Sequence, residues 1–131
     1  MLFRVSPRSP VPLGEQIAAC VRGAIADGAA LPGERLPAAR EVAESLGVNV
    51  HTVLRGYQRL RDEGLIELRR GRGAVVTAAP GAAKRARLAE GVRALVADAR
   101  ELGLTDEEFL ALLRGALAVT ERPADARGAE L

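Results

Sequence analysis

The chain of 131 residues has room for one modest domain, or a small domain with an appendage, and its 48% apolar content suffices for a core, which excludes a large multidomain enzyme. No run approaches the roughly 20 apolar residues of a membrane span, the N-terminus lacks the pattern of a secretory signal, and a single cysteine and a single histidine exclude an internal disulfide and a transition-metal cluster. The net charge of +2 is unevenly spread: residues 1–83 hold eleven arginines against eight carboxylates, and residues 84–131 hold eight basic against nine acidic side chains.

These bounds predict a cytoplasmic protein without metal or cofactor. The basic excess lies in the first part of the chain, and 18 of the 19 basic residues are arginine, whose planar fork suits phosphate and guanine edges.

The opening "MLFRVSPRSPVP" alternates apolar residues and then brings three prolines, the pattern of a short extended arm. From Pro12, residues Leu13, Ile17, Val21, Ala24 and Ile25 recur at three- and four-residue steps until Gly28, which predicts a first helix. Cys20 falls on the same spacing and is expected to be a buried structural thiol. "ALPGERLP" must be a connector, with room for a very short strand at 35–36. Ala39, Val42, Ala43 and Leu46 supply a second, short helix stopped by Gly47, and Asn49 is a suitable cap for a third that runs to Gly64. Two helices joined this tightly through a turn glycine match a helix-turn-helix.

After Gly64 the apolar period changes to two. "LIELRRGRGAVVTA" predicts a strand at 65–69, a Gly-rich basic tip at 70–73 and a returning strand at 74–77, a hairpin placed as a wing. "AAPGAAK" reads as a linker. Leu88, Val92, Leu95, Val96, Ala99 and Leu102 then mark a long helix ended by Gly103. Thr105 with Glu108 forms a capping box ahead of a last helix striped by Phe109, Leu112, Leu113, Ala116 and Leu117. From Glu121 no periodicity remains, and the tail is expected to be disordered.

The fold class is therefore α+β: a winged helix-turn-helix over 1–79, a linker at 80–83, and a two-helix region over 84–120. Nothing matches a Walker or Rossmann glycine motif, and no nucleophile, base and orienter stand at readable spacing.

At about 100° per residue, Val53, Gly56, Tyr57 and Leu60 of the third helix share one arc, while His51, Arg55 and Gln58 share the opposite one. The first arc can dock on the preceding helices. The second faces outward near a helix beginning, where backbone N–H groups attract phosphate, and the wing adds Arg69, Arg70 and Arg72 around Gly71. A cluster of arginines repels itself unless neutralised, and duplex DNA offers a phosphate about every 1.7 Å of its axis. An ion pair of Arg55 with Asp62 or Glu63 is the competing explanation for that residue. Two further readings of the whole chain are a protein-interaction module without specific DNA binding and an enzyme, the latter weakest.

The stretch over 11–76 resembles the GntR-family winged-helix domain of bacterial transcription regulators. The landmarks are Pro12-Leu13, Gln16-Ile17, Pro32-Gly33, Leu36-Pro37, Arg40-Glu41, Leu46-Gly47-Val48, Thr52-Val53, Glu63-Gly64-Leu65-Ile66 and the Arg-Gly-Arg-Gly wing. The arm "FRVSPRSPVPL" and the wording "VNVHTVLRGY" are similar to the small YtrA-type subfamily. The resemblance implies a homodimeric repressor of a small operon, such as a transporter operon, binding a near-palindromic double-stranded operator. It also implies that Arg40, Asn49, Thr52 and Gly71 occupy DNA-contacting positions, with Val50, His51, Arg55, Gln58 and the wing arginines around them. Val50 and Leu54 depart from the family, which often has arginine at both positions, and Ala38 stands where a serine commonly caps the second helix. In the subfamily the last two helices dimerise, which would pair Leu88, Val92, Leu95, Val96, Leu102, Phe109, Leu112, Leu113 and Leu117 with a second copy. A hairpin folded back on its own domain is the alternative. A small-molecule effector is compatible with this architecture and is not identified by any residue pattern.

Overall fold

The structure is a computed structural model, and it describes residues 1–120. The elements in order are α1 (Leu13–Ala26), α2 (Ala39–Leu46), α3 (Val50–Asp62), β1 (Ile66–Arg69), β2 (Gly73–Val76), α4 (Ala82–Glu101) and α5 (Asp106–Val119). The tail expected from Glu121 onward lies outside the described residues. The chain divides into two compact units, the first Met1–Val92 and the second starting at Arg93, so the division falls inside α4.

In the first unit α1, α2 and α3 meet around Ile17, Val21, Ile25, Val42, Val53, Tyr57 and Leu60, all buried. The approach of α1 to α3 depends on glycine. A Cβ built on Gly56 would stand 2.7 Å from the Gly14 carbonyl oxygen and 3.3 Å from Ile17 Cγ2, so only a bare backbone lets the two helices pack this closely. Gly47 takes φ 70°, the left-handed conformation that turns the chain from α2 into α3. Ala38 has the extended backbone of an N-cap and no side chain to cap with, so the first turn of α2 lacks that hydrogen bond.

β1 and β2 pair antiparallel in the register Ile66↔Val76 to Arg69↔Gly73. The connector before α2 adds an edge to this hairpin, through the bridge Arg35↔Val75 and the bonds Leu36 N–H to Ala74 O (2.8 Å) and Val76 N–H to Glu34 O (2.8 Å). The short strand expected at 35–36 is this bridge. Leu36, Leu65, Ile66 and Val76 carry the base of the wing into the core.

The N-terminal arm lies along α1. Gln16 Nε2 donates to the Ser6 and Val11 carbonyls (3.0 and 2.8 Å), and its Oε1 accepts from Ser6 N–H (2.7 Å). Cys20 Sγ meets Arg4 N and O at 3.4 Å each, so the thiol faces the arm and is half-buried rather than sealed in the core.

Arg22 is fully enclosed at 1% exposure. Its Nε and Nη2 donate to the two oxygens of Glu63 (2.8 and 2.9 Å), and Nη2 stands 3.5 Å from Glu15. A buried guanidinium is tolerated because this fork-to-fork pair satisfies it. It ties the middle of α1 to the end of α3.

α4 begins at Ala82, inside the segment expected as a linker. Gly81 turns the chain with φ 84°, and Ala82 and Ala86 then sink into the first core, which is why the helix starts two residues early. Arg87 Nη1 donates to the Ala26 carbonyl (3.0 Å) and so closes the end of α1.

In the second unit Gly103 (φ 74°) ends α4, and Thr105 and Glu108 make the reciprocal capping box at the start of α5. Arg100 reaches Asp106 at 2.7 Å across the turn. Ala99 is buried and Val96, Phe109 and Leu113 are half-buried, while α5 has no buried residue and Leu102, Leu112, Leu117 and Val119 are 63–84% exposed.

Candidate nucleic-acid interface

α3 is built one-sided. Val53, Gly56, Tyr57 and Leu60 face the core, and His51, Arg55 and Gln58 are exposed on the opposite arc, as the spacing predicts. The Asn49 side chain accepts from His51 N–H (2.8 Å), so its oxygen is engaged in capping and its amide NH₂ remains to approach a partner. Val50 and Thr52 are half-buried in the first turn, and Arg40 is exposed on α2.

The angle of α3 against its neighbours is held at Tyr57, whose hydroxyl donates to the Pro37 carbonyl (2.6 Å). Burial, and after it the charge of Glu41, pushes this phenol up to about 12. It therefore stays neutral and keeps donating at any ordinary pH.

Arg55 takes no ion pair among the described residues. Asp62 lies against Arg61 (3.8 Å), and Glu63 is engaged by Arg22 and Arg59, so the competing explanation for Arg55 fails. Thr52 and Arg55 also border a recess at the beginning of α1, whose cap residue, Pro12, offers no side-chain hydrogen bond.

The wing arginines are not equivalent. Arg69 donates from Nε and Nη2 to one Glu67 oxygen (2.9 and 2.6 Å), and this hydrogen bonding and charge hold the Glu67 carboxyl below the usual carboxylate range. Arg69 is thus largely neutralised from within its own strand. Arg70 and Arg72 are exposed at the tip with no charged partner among the described residues, and Gly71 (φ 80°) makes the turn that presents them.

A groove of about 460 Å³ separates α3 from the wing. Arg35, Leu54 and Leu68 line it together with Arg69 and Arg70, and none of the first three was singled out as a contact from the sequence. Alternation puts Leu68 on the same face of β1 as buried Ile66, so the strand period alone marks it as an inward residue; nothing local marks Arg35 as adjacent to the wing.

Residues 13–76 match the family model described as bacterial regulatory proteins, gntR family. The chain is 37% identical over 76 residues to the HTH-type transcriptional repressor YtrA of Bacillus subtilis (strain 168), spanning 58% of this chain and 58% of the relative's length. It is 33% identical over 111 residues to the HTH-type transcriptional regulator Rv1152 of Mycobacterium tuberculosis, covering 85% of this chain and 90% of that one. Among solved structures, YtrA from Sulfolobus acidocaldarius, a GntR-family transcription factor, superposes with a TM-score of 0.57 at 34% identity, over 73% of this chain and 99% of the other. These relatives are regulators, not enzymes. Agreement along nearly the whole length of a relative places this chain in the GntR family of DNA-binding bacterial transcription regulators.

Proposed function

We propose that the chain is a homodimeric, cytoplasmic repressor whose two winged helices bind a near-palindromic operator, with α3 of each copy in successive major grooves about 34 Å apart. The observation that carries this reading is Arg55 on the outward arc of α3, in line with His51 and Gln58 and beside a wing that ends in Arg70 and Arg72, none of the three arginines having an ion-pair partner among the described residues. In the proposed division, residues 1–79 bind DNA and residues 84–120 pair with a second copy. Arg40, Asn49, Val50, His51, Thr52, Arg55 and Gln58 meet the major groove, and Arg69, Arg70, Gly71 and Arg72 lie on backbone or minor groove.

The test is enrichment of duplexes from a random pool, followed by titration at several salt concentrations. A selected site should bind at or below about 10⁻⁸ M and weaken steeply with salt. Arg55→Ala should relax base preference, at a cost of about 1–3 kcal/mol on the selected site, whereas Arg70→Ala and Arg72→Ala should weaken all sequences alike. An altered base preference in Arg70→Ala would overturn this division of labour.

A further inference from the structure

Leu54 lies on α3 with 46% of its surface exposed, one turn before Gln58, and Leu68 on β1 is 44% exposed. Both line the groove between recognition helix and wing, whose lining includes Arg35, Arg69 and Arg70 and no carboxylate. With Arg69 tied to Glu67, Arg35 and Arg70 have no charged partner among the described residues. Two leucines held in water between such arginines suit an occupant that is anionic along its length and apolar at one point. Duplex DNA meets both conditions. Its strands carry a phosphate at every nucleotide, and the thymine C5-methyl is the one apolar group on the major-groove edge.

We infer that Leu54, backed by Leu68, contacts a thymine methyl of the strand running between α3 and the wing, while Arg35 and Arg70 hold phosphates of that same strand. Leu54 is thereby a specificity-determining residue, and Arg35 is a DNA contact outside the helix-turn-helix. The inference rests on the duplex-binding reading above and adds to it which base is read, and by what.

The test uses the full chain and a duplex enriched from a random pool, in which each thymine of one half-site is replaced in turn by deoxyuridine, removing the methyl alone. One replacement should weaken wild-type binding about fourfold, the equivalent of ~0.8 kcal/mol for one buried methyl. Leu54→Ala should bind the thymine and deoxyuridine duplexes equally. Arg35→Ala should weaken both while keeping the fourfold ratio. A flat deoxyuridine scan in the wild type, or a ratio that survives Leu54→Ala, overturns the inference and leaves the regulator reading standing. Failure to enrich any duplex overturns both. If Leu54→Glu changed the particle mass in solution while the scan stayed flat, the groove would belong to a second copy and the inference would fall.

Discussion

At Tyr57 one side chain does two jobs, filling the core and fixing α3 through its hydroxyl, and its titration gives a clean handle on both. The folded phenol is raised to about 12 from an ordinary value of 10.0, so its contribution is fully present below pH 10 and is lost as pH rises towards 12. Urea unfolding between these limits should show stability falling by about 2 kcal/mol, and Tyr57→Phe should remove that slope. Since the chain holds one tyrosine and one lysine, few other groups titrate there. A slope that persists in Tyr57→Phe would show that another group is responsible. The buried face of α3 was legible in the 3.6-residue spacing, whereas Tyr57's partner was not, because Pro37 is twenty residues away. Arg22 was missed for the same reason: its spacing puts it among the core residues of α1, but its partner Glu63 lies 41 residues on. The Arg69–Glu67 pair was readable in principle, since alternate residues of a strand share a face.

Between elements, α1 and α3 cross at bare backbone. A helical glycine replaced by alanine ordinarily stabilises by roughly 0.5–1 kcal/mol, as expected for Gly91, whose Cβ would meet nothing within 4 Å. At Gly56 the added carbon would meet the Gly14 backbone, so the sign should reverse, with Gly56→Ala destabilising by about 1–3 kcal/mol. Paired thermal melts check this: the midpoint should fall for Gly56→Ala and rise for Gly91→Ala, and equal shifts would show that no steric conflict exists. The spacing assigns Gly56 to the buried arc, but a pattern within one helix carries no information on how near its neighbour comes. The boundary at α4 has the same origin. Pro80 and Gly81 read as a break, whereas the burial of Ala82 and Ala86 depends on residues of the first core that are distant in the chain.

For the molecule as a whole, the proposed dimer rests on the apolar surface of the last two helices. Leu102, Leu112 and Leu117 are 63–76% exposed, and pairing with a second copy would take them out of water. Under the proposed dimer, light scattering at micromolar concentration should give twice the 13.8 kDa chain mass. Leu102→Asp with Leu117→Asp should return the single-chain mass without lowering the helical signal, and should weaken operator binding by loss of the second contact. A wild-type monomer under these conditions would overturn the dimer.

What the sequence determined by itself was the order of elements, their caps and turns, and the outward arc of α3, because each rests on residues within one or two turns of each other. The family followed from the same local wording. Only the tertiary structure decided which charges are free. Among the described residues Arg55 has no ion pair, Glu63 and Asp62 being taken by Arg22, Arg59 and Arg61, and Arg35 joins the wing because its backbone bridges to Val75. Electrostatic partners are chosen by distance in space, and helical or strand period says nothing of that distance once the chain has turned back on itself.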